Sequence, residues 1–390
     1  AMVRQIKAGI LDFIGAARPS IADPFLPKKV EEGRYEDIRE CIGCNICVSG
    51  DMTQGISRCT QNTAFMEEWR KGWHPDRARP KGPSESVLIV GAGPTGLEAA
   101  LQAARRGYKV TLAEATTTLG GRVAKERQLP GLSAWGRVAD YRTGQLAPLP
   151  NVEIYRDSPL TADDILAMGA DHVAIATGAT WRRDAVARFH LHPIPTDTGM
   201  PLYTPDDLMS GHFPEGQIVA LYDDDHFYMG SVLAELLVAK GNQVHFITPA
   251  VKVAEWTDNT LEQGTIMRRL LELGVEIHLS KAPEAIASKE MILACTWTGR
   301  QTALPCDAVL QVTSRTPNDG LYHQAKALDW QASGIKTLKL IGDAAAPGPI
   351  AWATYAGRNW AETLDQPDPG DDLTFRREIA ALDPGECLLP

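Results

Sequence analysis

Four cysteines that lie close together in the sequence are the residues best suited to chemistry. Cys41, Cys44 and Cys47 follow a C-x2-C-x2-C spacing, and Cys59 comes after eleven further residues. Thiolates are the soft ligands that hold iron–sulfur clusters, and four at this spacing suit one cluster. A zinc site with four thiolate ligands is the alternative, although such sites favour two separated C-x2-C pairs. The other cysteines are interpreted as ordinary core or tail residues: Cys295, Cys306 and Cys387.

A glycine-rich turn predicts a nucleotide site. Residues 91–96 read G-x-G-x-x-G between an apolar run and a helix-forming segment. In this motif the first glycine makes a tight turn, the second admits a pyrophosphate, and the third lets the helix pack closely. The pyrophosphate would lie at the helix N-terminus, and Glu114, at the end of the next strand, would bind ribose hydroxyls. The predicted contacts are Gly91, Gly93, Pro94, Thr95, Gly96 and Glu114.

Three later segments are weaker candidates for the same site. Thr177 and Gly178 end an apolar run, and Asp343 follows another. Asp343 would approach the nucleotide, but a helix cap is an equally simple interpretation. Gly121 and Arg122 would approach the phosphates, or they belong to an ordinary loop.

A second strand–turn–helix segment carries carboxylates where a glycine turn belongs. Asp223, Asp224 and Asp225 follow the strand directly. Two like charges 4 Å apart repel by about 4 kcal/mol at an effective dielectric constant of about 20, so these residues would oppose a pyrophosphate. We therefore predict a degenerate NAD(P)-type domain without a working NAD(P)H site. The alternative is that the aspartates point to solvent and a nucleotide still binds.

Apolar runs and helix formers alternate from residue 86 onward, which predicts β-α-β units and parallel sheets. The expected fold is α/β, with two Rossmann-like domains, the second inserted in the first, after a small Cys-rich segment. An apolar helix is expected over 6–17 and a linker over 80–83. The predicted domains are 1–83 (barrel-exit helix, iron–sulfur segment and linker), 84–204 (ADP/FAD-binding, first part), 205–310 (degenerate NAD(P)-type), and 311–390 (ADP/FAD-binding, second part, with a tail at 366–372).

Composition excludes several classes of protein. The 390 residues are 44% apolar and 23% charged, which suffices for packed cores and excludes a largely disordered chain. The net charge of −10 argues against a nucleic-acid partner. Apolar runs are too short for a membrane span, and Asp12 interrupts any signal-peptide core. The expectation is a soluble cytoplasmic protein, in which clustered cysteines bind metal.

Several of these motifs together resemble one family of iron–sulfur flavoproteins. The chain is similar to the trimethylamine, dimethylamine and histamine dehydrogenases, with 2,4-dienoyl-CoA reductase and old yellow enzyme as more distant relatives. The segments that carry the resemblance are 17–27, 41–47, 59–62, 72–75, 91–96, 267–270 and 341–344.

The resemblance implies a set of cofactors and partners. In this family an FMN-binding (β/α)8 barrel oxidises the substrate, and electrons pass through one [4Fe-4S] cluster to an electron-transfer flavoprotein. Cys41, Cys44, Cys47 and Cys59 would be the cluster ligands, and Arg18 would contact the FMN phosphate. The first dinucleotide site would hold ADP in the amine dehydrogenases or FAD in the reductases. A homodimer is also implied.

The length of the chain departs from the family pattern. A (β/α)8 barrel needs about 250 residues, and only 40 precede Cys41. We therefore expect a fragment or subunit in which the FMN barrel is absent, and we assign no catalytic residue.

Three functions stay open. The first is an electron-transfer portion of an amine dehydrogenase, which the aspartate turn favours. The second is an NAD(P)H-dependent FAD/iron–sulfur reductase of the 2,4-dienoyl-CoA reductase type. The third is a zinc-stabilised nucleotide-binding protein. The sequence does not name the substrate.

Overall fold

The computed structural model describes residues 2–80 and 85–366. Most of the predicted linker at 80–83, most of the predicted tail at 366–372, and Cys387 lie outside these ranges. Within them, every helix is too short or too polar to cross a lipid bilayer.

Short helices joined by loops form the segment that carries the cysteines. The predicted helix over 6–17 is wrong, because the chain forms two shorter helices at either end of that range. Gly9 adopts a left-handed φ of 67°, which ends the first helix, and Ile10 and Phe13 are exposed rather than packed on a core. The helices are α1 (Met2–Lys7), α2 (Ala17–Ala22), α3 (Leu26–Glu31) and α4 (Ile46–Met52).

The first nucleotide-type domain begins at β1 and has helices between its parallel strands. Its elements up to the second domain are β1 (Ser86–Val90), α5 (Pro94–Arg106), β2 (Lys109–Ala113), α6 (Arg122–Glu126), α7 (Arg137–Leu146), β3 (Val152–Tyr155), α8 (Ala162–Met168), β4 (His172–Ile175) and β5 (Ala179–Trp181).

The second domain repeats the pattern and adds an antiparallel layer. Its elements are β6 (Leu202–Tyr203), α9 (Pro205–Met209), β7 (Ile218–Asp223), α10 (Met229–Ala239), β8 (Gln243–Ile247), α11 (Gln263–Glu272), β9 (Glu276–His278), β10 (Lys281–Ile286), β11 (Glu290–Cys295), β12 (Gln301–Pro305) and β13 (Ala308–Val312). The chain then returns to the first domain through β14 (Arg315–Pro317), α12 (Gly320–Ala327), β15 (Thr337–Leu340) and α13 (Ile350–Thr363).

Two parallel sheets organise these elements. The strand order is β15-β4-β1-β2-β3 in the first and β6-β13-β7-β8-β9 in the second. Strand β15 pairs with β4 although the whole second domain lies between them in the chain, so the second domain is inserted in the first. Both faces of the central strands are covered, which explains their continuous apolar runs. An α/β fold with Rossmann-like topology is therefore confirmed.

Helices α5 and α13 approach each other closely beside the glycine turn. A Cβ atom added at Gly357 on α13 would overlap the carbonyl oxygen of Thr95 and lie 2.9 Å from the amide nitrogen of Ala99. Only glycine allows the two helix backbones to pack at this separation. The helix that starts the nucleotide site is thereby held by the last helix of the described chain.

We predict that Gly357→Ala lowers the free energy of unfolding by about 1–3 kcal/mol or more, because the added methyl group meets backbone atoms that cannot rotate away. Gly144→Ala is the matched control. It lies in α7 with nothing within 4 Å of the added Cβ, and it should stabilise the protein by about 0.5–1 kcal/mol. Urea unfolding of both variants checks this, and equal effects would contradict the close-packing argument.

Candidate cysteine cluster and nucleotide-binding site

The fold brings the four clustered cysteines together around one small cavity. Cys41, Cys44, Cys47 and Cys59 all line it, and each is half-buried. Gly43, with a φ of 73°, turns the chain between the first two cysteines, and α4 begins just before the third. The four sulfur atoms therefore face a common space although the loop has little regular structure.

The surroundings of the sulfur atoms suit thiolate ligands. The amide of Gly43 donates to Cys41 Sγ at 3.5 Å, and the amide of Asn62 donates to Cys59 Sγ at 3.4 Å. The Thr60 hydroxyl lies 3.2 Å from Cys44 Sγ. Hydrogen bonds to the sulfur atoms tune the potential of an iron–sulfur centre, so the residues present fit such a cluster.

Burial affects the protonation of two of these thiols. It raises the pKa of Cys44 to about 12 and that of Cys59 to about 11. Without metal both thiols stay protonated at neutral pH, whereas a coordinating thiol is deprotonated outright. Metal binding at this site therefore releases protons and couples to the local fold.

Arg18 lies at the same cavity. It is exposed, and its guanidinium donates to the side chain of Asn45 between the second and third cysteines. Asn45 in turn donates to the carbonyl of Thr260 at 2.9 Å, from the second domain. The contact of Arg18 with an FMN phosphate stays a prediction.

A buried ion pair fastens the loop after Cys59 to the nucleotide-type domain. Arg142 Nε donates to Glu98 Oε2 at 2.6 Å, and both side chains are almost fully buried. The same guanidinium reaches the carbonyl oxygens of Thr60 and Gln61 at 3.3 Å, and the Thr63 hydroxyl donates to Glu98 at 2.8 Å. The loop therefore cannot move without exposing buried charges.

The pKa of Glu98 shows which effect dominates in this network. Burial alone would raise it, but the charges of Arg142 and Arg358 and the hydrogen bonds from Thr63 and Gln102 hold it below its usual value. Glu98 is therefore ionised at neutral pH, and its contribution to stability is lost only as the pH falls through this lowered pKa.

The glycine turn lines a second, larger cavity of about 710 Å³. Gly91 has a φ of 102°, and its added Cβ would lie 2.5 Å from the carbonyl of Ala176. Gly93 caps α5, which starts at Pro94. Gly96 does not line the cavity, but an added Cβ would overlap the carbonyl of Gly91, which is the close packing that the motif predicts.

Glu114 lines one side of this cavity, and its hydrogen bonds connect the two loops that form that side. It is buried, and its carboxylate accepts from the amide of Ala92 at 2.8 Å and from both the amide and the hydroxyl of Thr116 at 2.9 Å. A carboxylate has about four acceptor positions, so capacity remains for a ribose hydroxyl. Glu114 thus both shapes the turn and faces the cavity.

The weaker candidates line the same cavity. They are Thr177, Gly178, Gly121, Arg122 and Asp343. Pro94 and Thr95, which are predicted with the glycine turn, line it as well. Gly121 adopts a φ of 51° and would place a Cβ 3.0 Å from the Cα of Gly93, so the two loops touch. The Thr177 hydroxyl donates to the carbonyl of Asn318 at 2.6 Å, which joins the returning chain to this edge.

A charged network closes one part of the cavity wall. Asp343 accepts from Arg122 at 2.9 Å and from Arg315 at 2.7 Å. Arg122 also donates to Glu126 and to the Tyr228 hydroxyl, at 2.8 and 3.1 Å. Although burial acts to lower the pKa of Arg122, the neighbouring Glu126, Tyr228 and Asp343 raise it well above its ordinary value, so this arginine is permanently charged.

Four residues of these networks are missed by the sequence analysis: Glu98, Arg142, Tyr228 and Arg315. Glu98 and Arg142 look like ordinary charged positions on helices. The sequence offers only two faint signals: a carboxylate flanked by apolar residues in α5, and an arginine in α7. Tyr228 and Arg315 come from the inserted domain and the strand after it, so sequence spacing alone carries no sign of them.

The aspartate turn of the second domain is buried rather than open. Asp223 and Asp224 are almost fully shielded from solvent, and Asp225 is half-buried. Asp224 accepts from His226 Nε2 at 2.9 Å and from the amide of Phe189 at 2.8 Å. The structure therefore does not turn Asp223 or Asp224 toward solvent.

Asp223 occupies the place beside the start of α10. A Cβ added at Gly230 would lie 2.9 Å from the Asp223 carboxyl carbon, so this carboxyl group packs on the first turn of the helix. That is where a Rossmann turn presents free amides to a phosphate. Burial raises the pKa of Asp223 to about 7. A working NAD(P)H site here stays disfavoured.

Comparisons with known proteins agree with this architecture. A model described as an NAD(P)-binding Rossmann-like domain matches residues 89–155, and one described as an old-yellow-enzyme-like second alpha/beta domain matches 203–299. Dimethylamine dehydrogenase from Hyphomicrobium sp. (strain x) is 39% identical over 97% of this chain and 55% of its own length.

Solved structures give the same result. Histamine dehydrogenase from Rhizobium sp. 4-9 matches with a TM-score of 0.93 and 60% identity, over 98% of this chain and 60% of that chain. The 6-hydroxypseudooxynicotine amine oxidase from Pseudomonas geniculata N1 matches with a TM-score of 0.90 and 46% identity, over 93% and 54%. The chain belongs to the family of trimethylamine, dimethylamine and histamine dehydrogenases, which confirms the resemblance of its motifs.

The expectation that the FMN-binding barrel is absent is wrong. The chain spans about half the length of the curated relatives it matches, and the old-yellow-enzyme-like second alpha/beta domain matches residues 203–299. These 390 residues account for the cysteine segment and two nucleotide-type domains, and their number does not test for a barrel. The length of such a segment carries no information about a barrel encoded by other residues.

We predict that Arg142→Gln costs about 3–5 kcal/mol of unfolding free energy, because it leaves the Glu98 charge buried without its partner. The variant should also retain less iron after anaerobic reconstitution, because the loop after Cys59 is released. Cys44→Ala should lose iron for a different reason, since it removes a predicted ligand and metal binding is coupled to local folding. Arg127→Gln is the control. It removes an exposed pair with Asp140 and should cost at most about 1 kcal/mol, with iron unchanged. Full iron content in Arg142→Gln would contradict the fastening role.

We predict that Glu114→Ala weakens ADP binding about tenfold to a hundredfold, which corresponds to losing one charge-assisted hydrogen bond of about 1.5–3 kcal/mol. Titration calorimetry measures the effect. Glu153→Ala removes an exposed carboxylate from the neighbouring strand and should leave the affinity unchanged. Iron content should stay at the wild-type level in both variants, and equal ADP affinities would count against the assignment.

Proposed function

We propose that this chain is the electron-transfer and nucleotide-binding portion of an amine dehydrogenase-like iron–sulfur flavoprotein, in which electrons from FMN pass through one [4Fe-4S] cluster to an electron-transfer flavoprotein. The observation that carries the proposal is the convergence of Cys41, Cys44, Cys47 and Cys59 on one cavity. The names of the relatives, dimethylamine and histamine dehydrogenases, support amines as the substrate class.

The roles of the residues follow from their surroundings. When bound, a [4Fe-4S] cluster supplies one-electron transfer. The four thiols would hold it, the amides of Gly43 and Asn62 would stabilise the charge on the sulfur atoms, and the Glu98–Arg142 pair would keep the loop rigid. A rigid site favours electron transfer, because a preorganised surrounding needs little rearrangement when the charge changes.

We assign ADP to the first dinucleotide cavity. Gly93 and the start of α5 would take the diphosphate, and Glu114 would take the ribose. The network of Arg122, Asp343 and Arg315 already satisfies the polar groups at one part of the wall. The closed network therefore favours ADP, bound as a structural element, over FAD, which would have to exchange electrons in this cavity.

The protein around this portion is proposed from the family. FMN would be bound with Arg18 as the predicted contact of its phosphate, and the partners would be an electron-transfer flavoprotein and a second copy of the same protein. The aspartate turn, with Asp223 packed on α10, disfavours the NAD(P)H-dependent reductase as the alternative function.

The test is to identify the small molecules released from the anaerobically purified protein and to count its iron. We expect ADP without FAD, about four iron atoms per chain, and no micromolar binding of NADH or NADPH. Dithionite should bleach the cluster absorption, and NADPH should not. Released FAD together with tight NADPH binding would establish the reductase instead, and zinc in place of iron would overturn the cluster.

A further inference from the structure

Two histidines and a glutamate converge on one face of the second domain, away from the cysteines in the sequence. His245 Nδ1 and His278 Nε2 are 3.1 Å apart. Each of these nitrogens also lies close to an oxygen of Glu276, at 3.4 Å from His245 and 3.3 Å from His278. These three residues could together hold a metal ion.

The sheet fixes the positions of all three side chains. In the parallel pairing of β8 with β9, His245 lies opposite Glu276 and Ile247 lies opposite His278. Residues two apart on a strand point to the same face, so Glu276 and His278 share the face on which His245 lies. Backbone pairing, rather than a flexible loop, therefore sets the spacing.

The distances match a tetrahedral zinc site. With zinc–nitrogen and zinc–oxygen bonds of about 2.0–2.1 Å, tetrahedral geometry places neighbouring ligand atoms about 3.3 Å apart. The two nitrogens are 3.1 Å apart, close to that value. His245 Nδ1 lies 3.4 Å from Glu276 Oε2 and His278 Nε2 lies 3.3 Å from Glu276 Oε1, so the carboxylate presents one oxygen to each nitrogen at about this spacing. Two imidazoles and a carboxylate are also the ligand set of open zinc sites, in which water takes the fourth position.

Hydrogen bonds alone do not satisfy this group when both rings are neutral. One N–H shared between the two converging nitrogens leaves the other nitrogen as an acceptor that faces a carboxylate oxygen. A divalent cation attracts all three acceptor atoms at once.

We propose that His245, Glu276 and His278 form a second metal site, separate from the cysteines, for a divalent ion of the zinc type. The ion would pin the edge strand β9 to β8, in addition to their backbone hydrogen bonds. His245 is buried, His278 is partly buried, and Glu276 is more than half exposed, so the site is anchored inside and open to solvent on one side.

The experiment measures zinc bound to the full chain. Wild type and Glu276→Gln are dialysed against micromolar Zn²⁺, and bound zinc is counted by mass spectrometry. Glu276→Gln keeps the shape of an exposed side chain, so the fold should persist. Both proteins carry the same four cysteines, so zinc held there cancels in the difference.

We expect about one more zinc per chain in wild type than in Glu276→Gln or His278→Gln. Since loss of groups that merely orient a ligand weakens metal binding about 10–100-fold, loss of a ligand itself should cost about 100-fold or more. His323→Gln is the control, because it removes an exposed histidine that also lies beside a carboxylate, Asp319. It should bind zinc like wild type.

Thermal unfolding gives a second readout. Zinc should raise the unfolding temperature of wild type and His323→Gln by the same amount, and that of Glu276→Gln by less. Equal zinc in wild type and both site variants would mean an adventitious ion only and would overturn the proposal, as would equal thermal shifts. This outcome is independent of the proposed redox function, which is read from iron and ADP.

Discussion

The buried ion pair between Glu98 and Arg142 is the interaction on which the site depends most. Taking two charges out of water costs several kcal/mol each, and the cost is offset only when every polar atom finds a partner. Here the partners are the backbone and side chains of the loop after Cys59. The loop that follows the fourth cysteine therefore replaces water as the hydrogen-bonding partner of this ion pair. The ion pair and the loop are stable only together.

A second buried arginine extends the same principle. Arg358 on α13 donates to the carbonyl of His74 and to Glu362, and it contacts the Thr63 hydroxyl at 3.5 Å. Helix α13 also packs on α5 through Gly357. The helix that begins the nucleotide site is thus tied to the cysteine segment from two sides, which gives the two candidate cofactor sites a common rigid support.

The two nucleotide-type domains share a strand–turn–helix unit but differ in the residues of the turn. In the first, glycines at 91, 93 and 96 leave room for a phosphate and let α5 pack on the strand. In the second, Asp223 fills the corresponding space against Gly230, and its neighbour Asp224 bonds to His226. The helix and strand persist because apolar burial stabilises them, whereas ligand binding depends on the few residues of the turn.

The sequence by itself determined the local features: the β-α-β order, the glycine turn, the cysteine spacing and the family. These follow from neighbouring residues, since periodicity and turn chemistry act over short distances. The N-terminal helix was misplaced because apolar residues alone do not show whether a face will be packed. The absent barrel was wrongly inferred because length was taken as a property of the whole protein.

Only the tertiary structure decided which charged residues support the sites. Glu98 and Arg142 lie 44 positions apart, and Asp343 meets Arg122 across 221. His245 meets Glu276 and His278 only because two strands pair in register. Burial turns such groups from solvated surface charges into obligatory partners, and burial is a property of the packed fold rather than of any segment of the chain.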